Sequence, residues 1–407
     1  MAKAIDFTQR NVAIDILRAL TMLLMIFVND LWRIKGEPDW LGHAAGNQDF
    51  MGLADIVFPC FLFVVGMSIP FAIERRFSKG MSGVSTIGHI LTRSFALLIM
   101  GVFIVNTESG VSPESGFTLP TFRILMVIAF LMIWNVYPKT DKPAIQNLFK
   151  ALKVIGWIIL IFLAIKYRSG DGGIFRTSWW GILGLIGWAY LFCAFVYVFT
   201  RDRLKYVIPV WAGLILWCIL SSGLRDGGSI LNLPRGNFLD SFIGLFHIGN
   251  GALPAFTMGG ILLSLISTKY INAQNSKKIL FVVLAVAGLL IAGLITHKFY
   301  IVSKIQATPP WIFYCSAIAV AMYALLTWLV DLGKASWFKV IEVAGTATLT
   351  CYLVPYVVYS LMSLLGLMRM PEVITTGFVG ILNCIAFSFL IIGITWLLGK
   401  IHIKLKI

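Results

Sequence analysis

Residues 12–73 concentrate the side chains of this chain that could do chemistry. Two apolar runs, VAIDILRALTMLLMIFVND and GLADIVFPCFLFVVGMSIPF, flank a short polar loop containing WLGHAAGNQ. Asp15, Arg18, Asn29, Asp30 and Asp55 sit inside or at the ends of the runs, and His43 lies between them. An ionisable group at mid-bilayer costs about 2.5–3.5 kcal/mol on insertion scales, so such groups persist where they are paired, hydrated or used. A histidine beside carboxylates suits acid–base or nucleophilic work, because its pKa lies near working pH and a carboxylate can orient its ring. Arginines suit bidentate contacts to phosphate.

The elements that must carry these groups are membrane-length helices. The chain of 407 residues is 59% hydrophobic and only 13% charged, against about 25% charged in a soluble domain; its mean hydropathy is +0.89. Apolar runs of spanning length recur near 12–32, 51–73, 85–106, 119–137, 148–166, 177–199, 205–222, 246–267, 279–296, 311–330, 340–366 and 375–399. The pattern predicts an all-α, polytopic helical bundle of about twelve transmembrane helices, forming a single domain over residues 1–407. The opening MAKAIDFTQR lacks the features of a cleaved signal peptide, so the first span is expected to be retained.

The formal net charge of +15 would fit nucleic acid only if the charges were clustered on a soluble face. Instead Lys3, Arg10, Arg75, Arg76, Lys79, Arg201, Arg203, Lys277, Lys278, Lys400 and Lys404 fall on one side of the twelve-span arrangement. By the positive-inside rule both termini are then cytoplasmic, and nucleic acid is excluded as a partner in favour of membrane lipid. The cysteines all lie within apolar runs at no metal-ligand spacing, so neither a disulfide framework nor a metal site is expected. Asp-Gly-Gly at 171–173 and 226–228 reads as turn chemistry. No phosphate-binding glycine loop or GxSxG is present.

Depth sorts the intramembrane polar groups into two layers. Asp15 and Arg18, one helical step apart, can pair, and with Arg93 and Glu342 they form an inner layer. Asn29 and Asp30 lie further along the first span; Asn29 shares a face with Arg18 at about 16 Å along the axis. With His43, Asp55, Arg123 and His247 they form an outer layer. A basic inner layer fits a phosphate-bearing cytoplasmic donor, and a His–carboxylate outer layer fits chemistry on an extracytoplasmic acceptor. Taken alone, His43 is an ordinary loop histidine and Asp15–Arg18 equally a register-fixing pair. Unpaired arginines within spans, Arg93 and Arg123, call for partners that the neighbouring sequence does not supply.

At these residues the chain resembles the heparan-alpha-glucosaminide N-acetyltransferase family. AIDILRALTMLLMIFVND is similar to the opening signature of that family, HAAGNQDFMGLADIVFPCFLFVVGMSI to its His-containing loop and Asp-x-x-Phe-Pro block, and ATPPWIFYCSAIAVAMYALLTWLVD to its late Thr-Pro-x-Trp segment. The resemblance implies an integral membrane acetyltransferase that takes acetyl groups from cytoplasmic acetyl-CoA to an amino sugar or glycan, without metal. It implies His43 as base or acetyl carrier, with Asn29, Asp30 and Asp55 beside it as catalytic residues. Asp15, Arg18, Arg93 and Arg123 are then the residues expected at the donor. A chain of this build resembles a bacterial inner-membrane relative. A twelve-span secondary transporter using the same charges for coupling is the alternative, and O-acetylation of a glycan stays open, as does a homodimeric state.

Overall fold

The computed structural model describes residues 11–231, 243–269 and 275–407; Lys3 and Arg10, two of the charges used for orientation, lie outside the described residues. The described residues are helical apart from loops and isolated bridges. Long helices are α1 (Val12–Asp30), α2 (Leu53–Ser78), α3 (Gly83–Asn106), α4 (Leu119–Trp134), α5 (Pro143–Lys166), α6 (Gly181–Thr200), α7 (Leu204–Ser221), α8 (Ala252–Lys269), α9 (Asn275–His297), α10 (Pro309–Asp331), α11 (Thr348–Leu364) and α12 (Gly377–Lys400). Each coincides with one of the apolar runs read from the sequence. Among the described residues nine helices are long and apolar enough to cross a membrane, while α4, α8 and α11 supply shorter apolar stretches. These are the helices of a polytopic membrane protein.

The described residues cluster into two compact units, each assembled from discontinuous segments. The first comprises residues 1–21, 38–94 and 188–338, and the second residues 22–37, 95–187 and 339–407.

In the first unit α2 packs against α8 and α10, α8 against α7, and α9 against α10. The α2–α8 contact is backbone to backbone. A Cβ added at Gly66 would lie 1.8 Å from the Thr257 carbonyl oxygen, and one at Gly260 would lie 2.0 Å from that of Phe63. Small residues allow such approach where lipid offers no hydrophobic drive for helix pairing. One turn further along, the Ser264 hydroxyl donates to the Met67 carbonyl at 2.8 Å.

In the second unit α4 packs against α5 and α11, and α11 against α12. Buried Phe103, Phe122 and Phe130 form an aromatic core. The Tyr167 hydroxyl donates to the Asn106 carbonyl at 2.7 Å, tying the chain after α5 to the end of α3. Both Asp-Gly-Gly segments are turns, with Gly172, Gly227 and Gly228 at positive φ, a conformation glycine adopts without a Cβ clash.

Gly66→Leu forces α2 and α8 apart, with an expected loss of about 1–3 kcal/mol or more. Thermal unfolding of detergent-purified protein should show a lowered Tm, whereas Gly213→Leu, at a position with open space around it, should leave Tm unchanged.

Candidate functional site

The first unit builds a His–carboxylate pair from the α1–α2 loop and the start of α2. Asp55 lies in the first turn of α2, where the helix dipole favours a negative charge, and its side chain is only 1% exposed. One carboxylate oxygen, Oδ2, accepts the Ala44 N–H at 2.9 Å and the Gly52 N–H at 3.2 Å. The other, Oδ1, lies 2.7 Å from His43 Nδ1. A charged carboxylate accepts and does not donate, so this contact places the neutral ring's proton on Nδ1. Nε2 has no partner among the described residues, and the His43 side chain is 48% exposed. The ring therefore offers a lone pair at Nε2, held in orientation by a buried acid.

Pro59 decides how the Asp55 backbone is satisfied. It stands four residues after Asp55 inside α2 and has no N–H to donate to the Asp55 carbonyl. The indole N–H of buried Trp311, in the first turn of α10, fills that place at 3.0 Å. The Asp-x-x-x-Pro and Pro-Pro-Trp segments, distant in sequence, thus complete one another.

The α9–α10 loop brings Lys304, a residue the sequence reading did not single out. Its ammonium lies 3.2 Å from His43 Nδ1, 3.5 Å from the Ala54 carbonyl and 3.8 Å from Asp55 Oδ1. With Nδ1 protonated, the ammonium donates to the Ala54 carbonyl, pairs with the Asp55 charge and stands beside the ring. Burial pushes Lys304 below its ordinary lysine value, and the attraction of Asp55 offsets this in part. The Lys304 turn is closed on itself: the Ser303 N–H donates to the Thr308 hydroxyl at 3.0 Å, and the Thr308 N–H to the Ser303 carbonyl at 3.1 Å. The only local signal was a lysine just before the Thr-Pro-Pro-Trp segment, and helix spacing could not bring it to a loop so far away.

A second cluster fastens this turn to the His43 loop. Asp49 accepts from the Val302 N–H at 2.8 Å and from Arg225 at 2.7 Å, and contacts His297 Nε2 at 2.8 Å. The Gln306 amide donates to the Gly46 carbonyl at 2.8 Å. Burial opposes the charge on Asp49, but the hydrogen bonds from Val302, Arg225 and His297 outweigh it and hold the carboxyl below its usual range.

The remaining expected site residues are placed as follows. In the first unit, Arg18 pairs with Asp15 at 3.1 Å and donates to the Ser68 hydroxyl at 2.7 Å. Arg93 in α3 lies 4.7 Å over the Tyr190 ring, and its Nε is buried without a hydrogen bond. His247, from the outer layer, stacks face to face on Trp188 at 4.3 Å. In the second unit, Asp30 is wholly buried; it accepts from Arg33 Nε at 2.6 Å and from the Tyr359 hydroxyl. Its oxygens are occupied there, and the carboxylate on His43 is Asp55. Asn29 and Arg123 line one cavity of about 510 Å³ within the second unit. Among the described residues no group of histidine, cysteine and acidic side chains could hold a metal ion.

These features define a helical membrane protein with an oriented, accessible histidine on an inter-helix loop. A family model described as a domain of unknown function (DUF5009) matches residues 10–231, more than half of the chain, and the chain belongs to that family. It is also similar to heparan-alpha-glucosaminide N-acetyltransferase of Mus musculus, 36% identical over 103 residues, and of Homo sapiens, 35% identical over 104 residues. Each match covers 25% of this chain and 15% of the relative. The likeness is a distant relationship to a membrane acetyltransferase.

Two outcomes test the geometry. Trp311→Phe leaves the Asp55 carbonyl without a donor, at a cost of about 1–3 kcal/mol; Pro59→Ala in that background restores an N–H and should recover part of the lost Tm. The Asp49 contribution to stability is present above the unfolded carboxylate pKa and is lost as pH falls through the lower folded value. The stability difference between wild type and Asp49→Asn should therefore shrink on acidification below about pH 4, measured as Tm against pH.

Proposed function

We propose that this protein is an acetyl-CoA-dependent membrane acetyltransferase acting on an extracytoplasmic amino sugar or glycan. The observation that carries the reading is the His43–Asp55 pair, with Nε2 unbonded among the described residues and the ring half-exposed on a loop between two membrane-length helices. The distant likeness to the mouse and human N-acetyltransferases supports it. In this reading the whole chain works as one transmembrane acyltransferase in a bacterial inner membrane, with about twelve spans and both termini cytoplasmic.

The chemistry follows from the ring's orientation. His43 Nε2 accepts a proton from the acceptor amine as the nitrogen attacks the thioester carbonyl. The tetrahedral intermediate collapses with loss of the CoA thiolate, and the imidazolium returns its proton to that sulfur. Products are the acetamide and CoA thiol. Asp55, already bonded to Nδ1–H, stabilises the imidazolium while it lasts. The same lone pair can instead attack the thioester, giving an acetyl-imidazole that the amine then takes up. In the second unit Asn29 is proposed to contact bound substrate, and Asp30, engaged by Arg33 and Tyr359, to position those two side chains. Arg18, oriented by Asp15, and Arg93 are proposed to hold donor phosphates, because guanidinium suits phosphate.

The test is CoA thiol release from acetyl-CoA by detergent-purified protein in the presence of a panel of amino sugars. Wild type is expected to release CoA only with an acceptor present. His43→Ala should lower that rate by about 10²–10⁴-fold with unchanged Tm. Full activity of the variant, or no release by folded wild type with any amino sugar, would overturn the proposal.

A further inference from the structure

The cavity of the second unit holds a cation that this unit does not neutralise. Arg123, in the first turns of α4, makes no hydrogen bond or ion pair with any described residue, and its Nε is buried. Two acids of the same unit, Asp30 and Glu108, are already engaged. Asp30 is taken by Arg33 and Tyr359. Glu108, which lines the cavity, accepts from Trp179 Nε1 at 3.1 Å, and burial pushes its carboxyl up against that bond. Asn29 also faces the cavity and has no hydrogen-bond partner among the described residues. An uncompensated guanidinium among apolar helices is costly, and the cost is removed by an anion that comes and goes.

The walls show what kind of ligand carries that anion. Trp32, Tyr352, Tyr356 and Tyr359 contribute aromatic surface, and about 510 Å³ of space is available, within the range of small-molecule sites. A few polar groups in a mostly apolar and aromatic lining fix a ligand's orientation while its body supplies contact area.

We propose that this cavity binds a small ligand carrying one oxyanion, whether phosphate, sulfate or carboxylate, with Arg123 as its counter-cation and Asn29 as a neighbouring hydrogen-bond partner. Two sources share this chemistry: the phosphates of an acyl-CoA donor, and an acidic group on a sugar. The acyl-CoA source rests on the acetyl-transfer reading and the sugar acid does not; binding is read without turnover, so failure of the site and failure of that reading are told apart.

Thermal shift of the full chain in detergent tests it, with acetyl-CoA, glucosamine 6-phosphate and glucuronate as anionic probes and glucosamine as the neutral control. At least one anionic probe should raise the wild-type Tm where glucosamine does not. For at least one such probe the shift should fall in Arg123→Met and persist more fully in Arg123→Lys, with apparent affinity reduced at least tenfold in the Met variant. An Arg123-dependent shift with acetyl-CoA alone identifies the donor as the source, and one with the sugar acids identifies an acidic acceptor; either supports the site. Should Arg123→Met not fold, Ser363→Trp, which fills the cavity from an exposed lining position, must abolish the shift with Arg123 intact. No shift with any anion, an equal shift with glucosamine, or shifts that with every anionic probe are unchanged in Arg123→Met or in Ser363→Trp overturn the proposal.

Discussion

A carboxylate withdrawn from water must be surrounded by donors, and Asp55 is the carboxylate on which the site of the first unit depends. Burial without donors would cost several kcal/mol and drive the group to its neutral form. Ala44, Gly52 and His43 supply the donors from one loop, so satisfying Asp55 also fixes the path of that loop and the face of the imidazole. The same residue's carbonyl, left open by Pro59, recruits Trp311 and so brings the start of α10 to the start of α2. Lys304 arrives on the loop that leads into α10. One buried acid thereby organises a histidine, a lysine and two helix starts.

The other charges of the apolar segments divide by whether the fold itself satisfies them. Glu74 receives two hydrogen bonds from Arg201, at 2.8 and 2.6 Å, and a third from Tyr197 at 3.1 Å. Such bidentate, fully bonded pairs hold helices in register. Arg18 with Asp15 and Ser68 is intermediate, since its partners leave it a quarter exposed. Arg123 stands at the other end: it faces space, and its Nε has no acceptor. A cation of this kind does little for the stability of the empty protein, which is why its place in a cavity points to a ligand.

Much of the architecture was legible because the membrane restricts the choices. With no water to bond backbone groups, apolar runs of spanning length must become helices, and every run read from the sequence is one. The Asp15–Arg18 contact was equally legible, since residues three apart on a helix are neighbours. Asp30 shows where that reasoning ends. Beside Asn29 in the sequence it is an obvious companion for His43, yet its own helix continuation places Arg33 against it and Tyr359 closes over it. Neighbours in sequence at the end of a helix point to different sides, so adjacency says little about which of them meets a loop.

The sequence by itself determined the helices, their order and the presence of polar groups that apolar surroundings make costly, because these follow from local periodicity and transfer energy. It also named His43 and Asp55, through residue type and motif. Only the tertiary structure decided that Asp55 is the acid on His43, that Lys304 stands beside them from a loop 261 residues further on, and that Asn29 and Arg123 share a cavity. Those relations are set by which helices pack together, and packing depends on surface shape, such as the bare backbone at Gly66 and Gly260, that hydrophobic pattern alone does not encode.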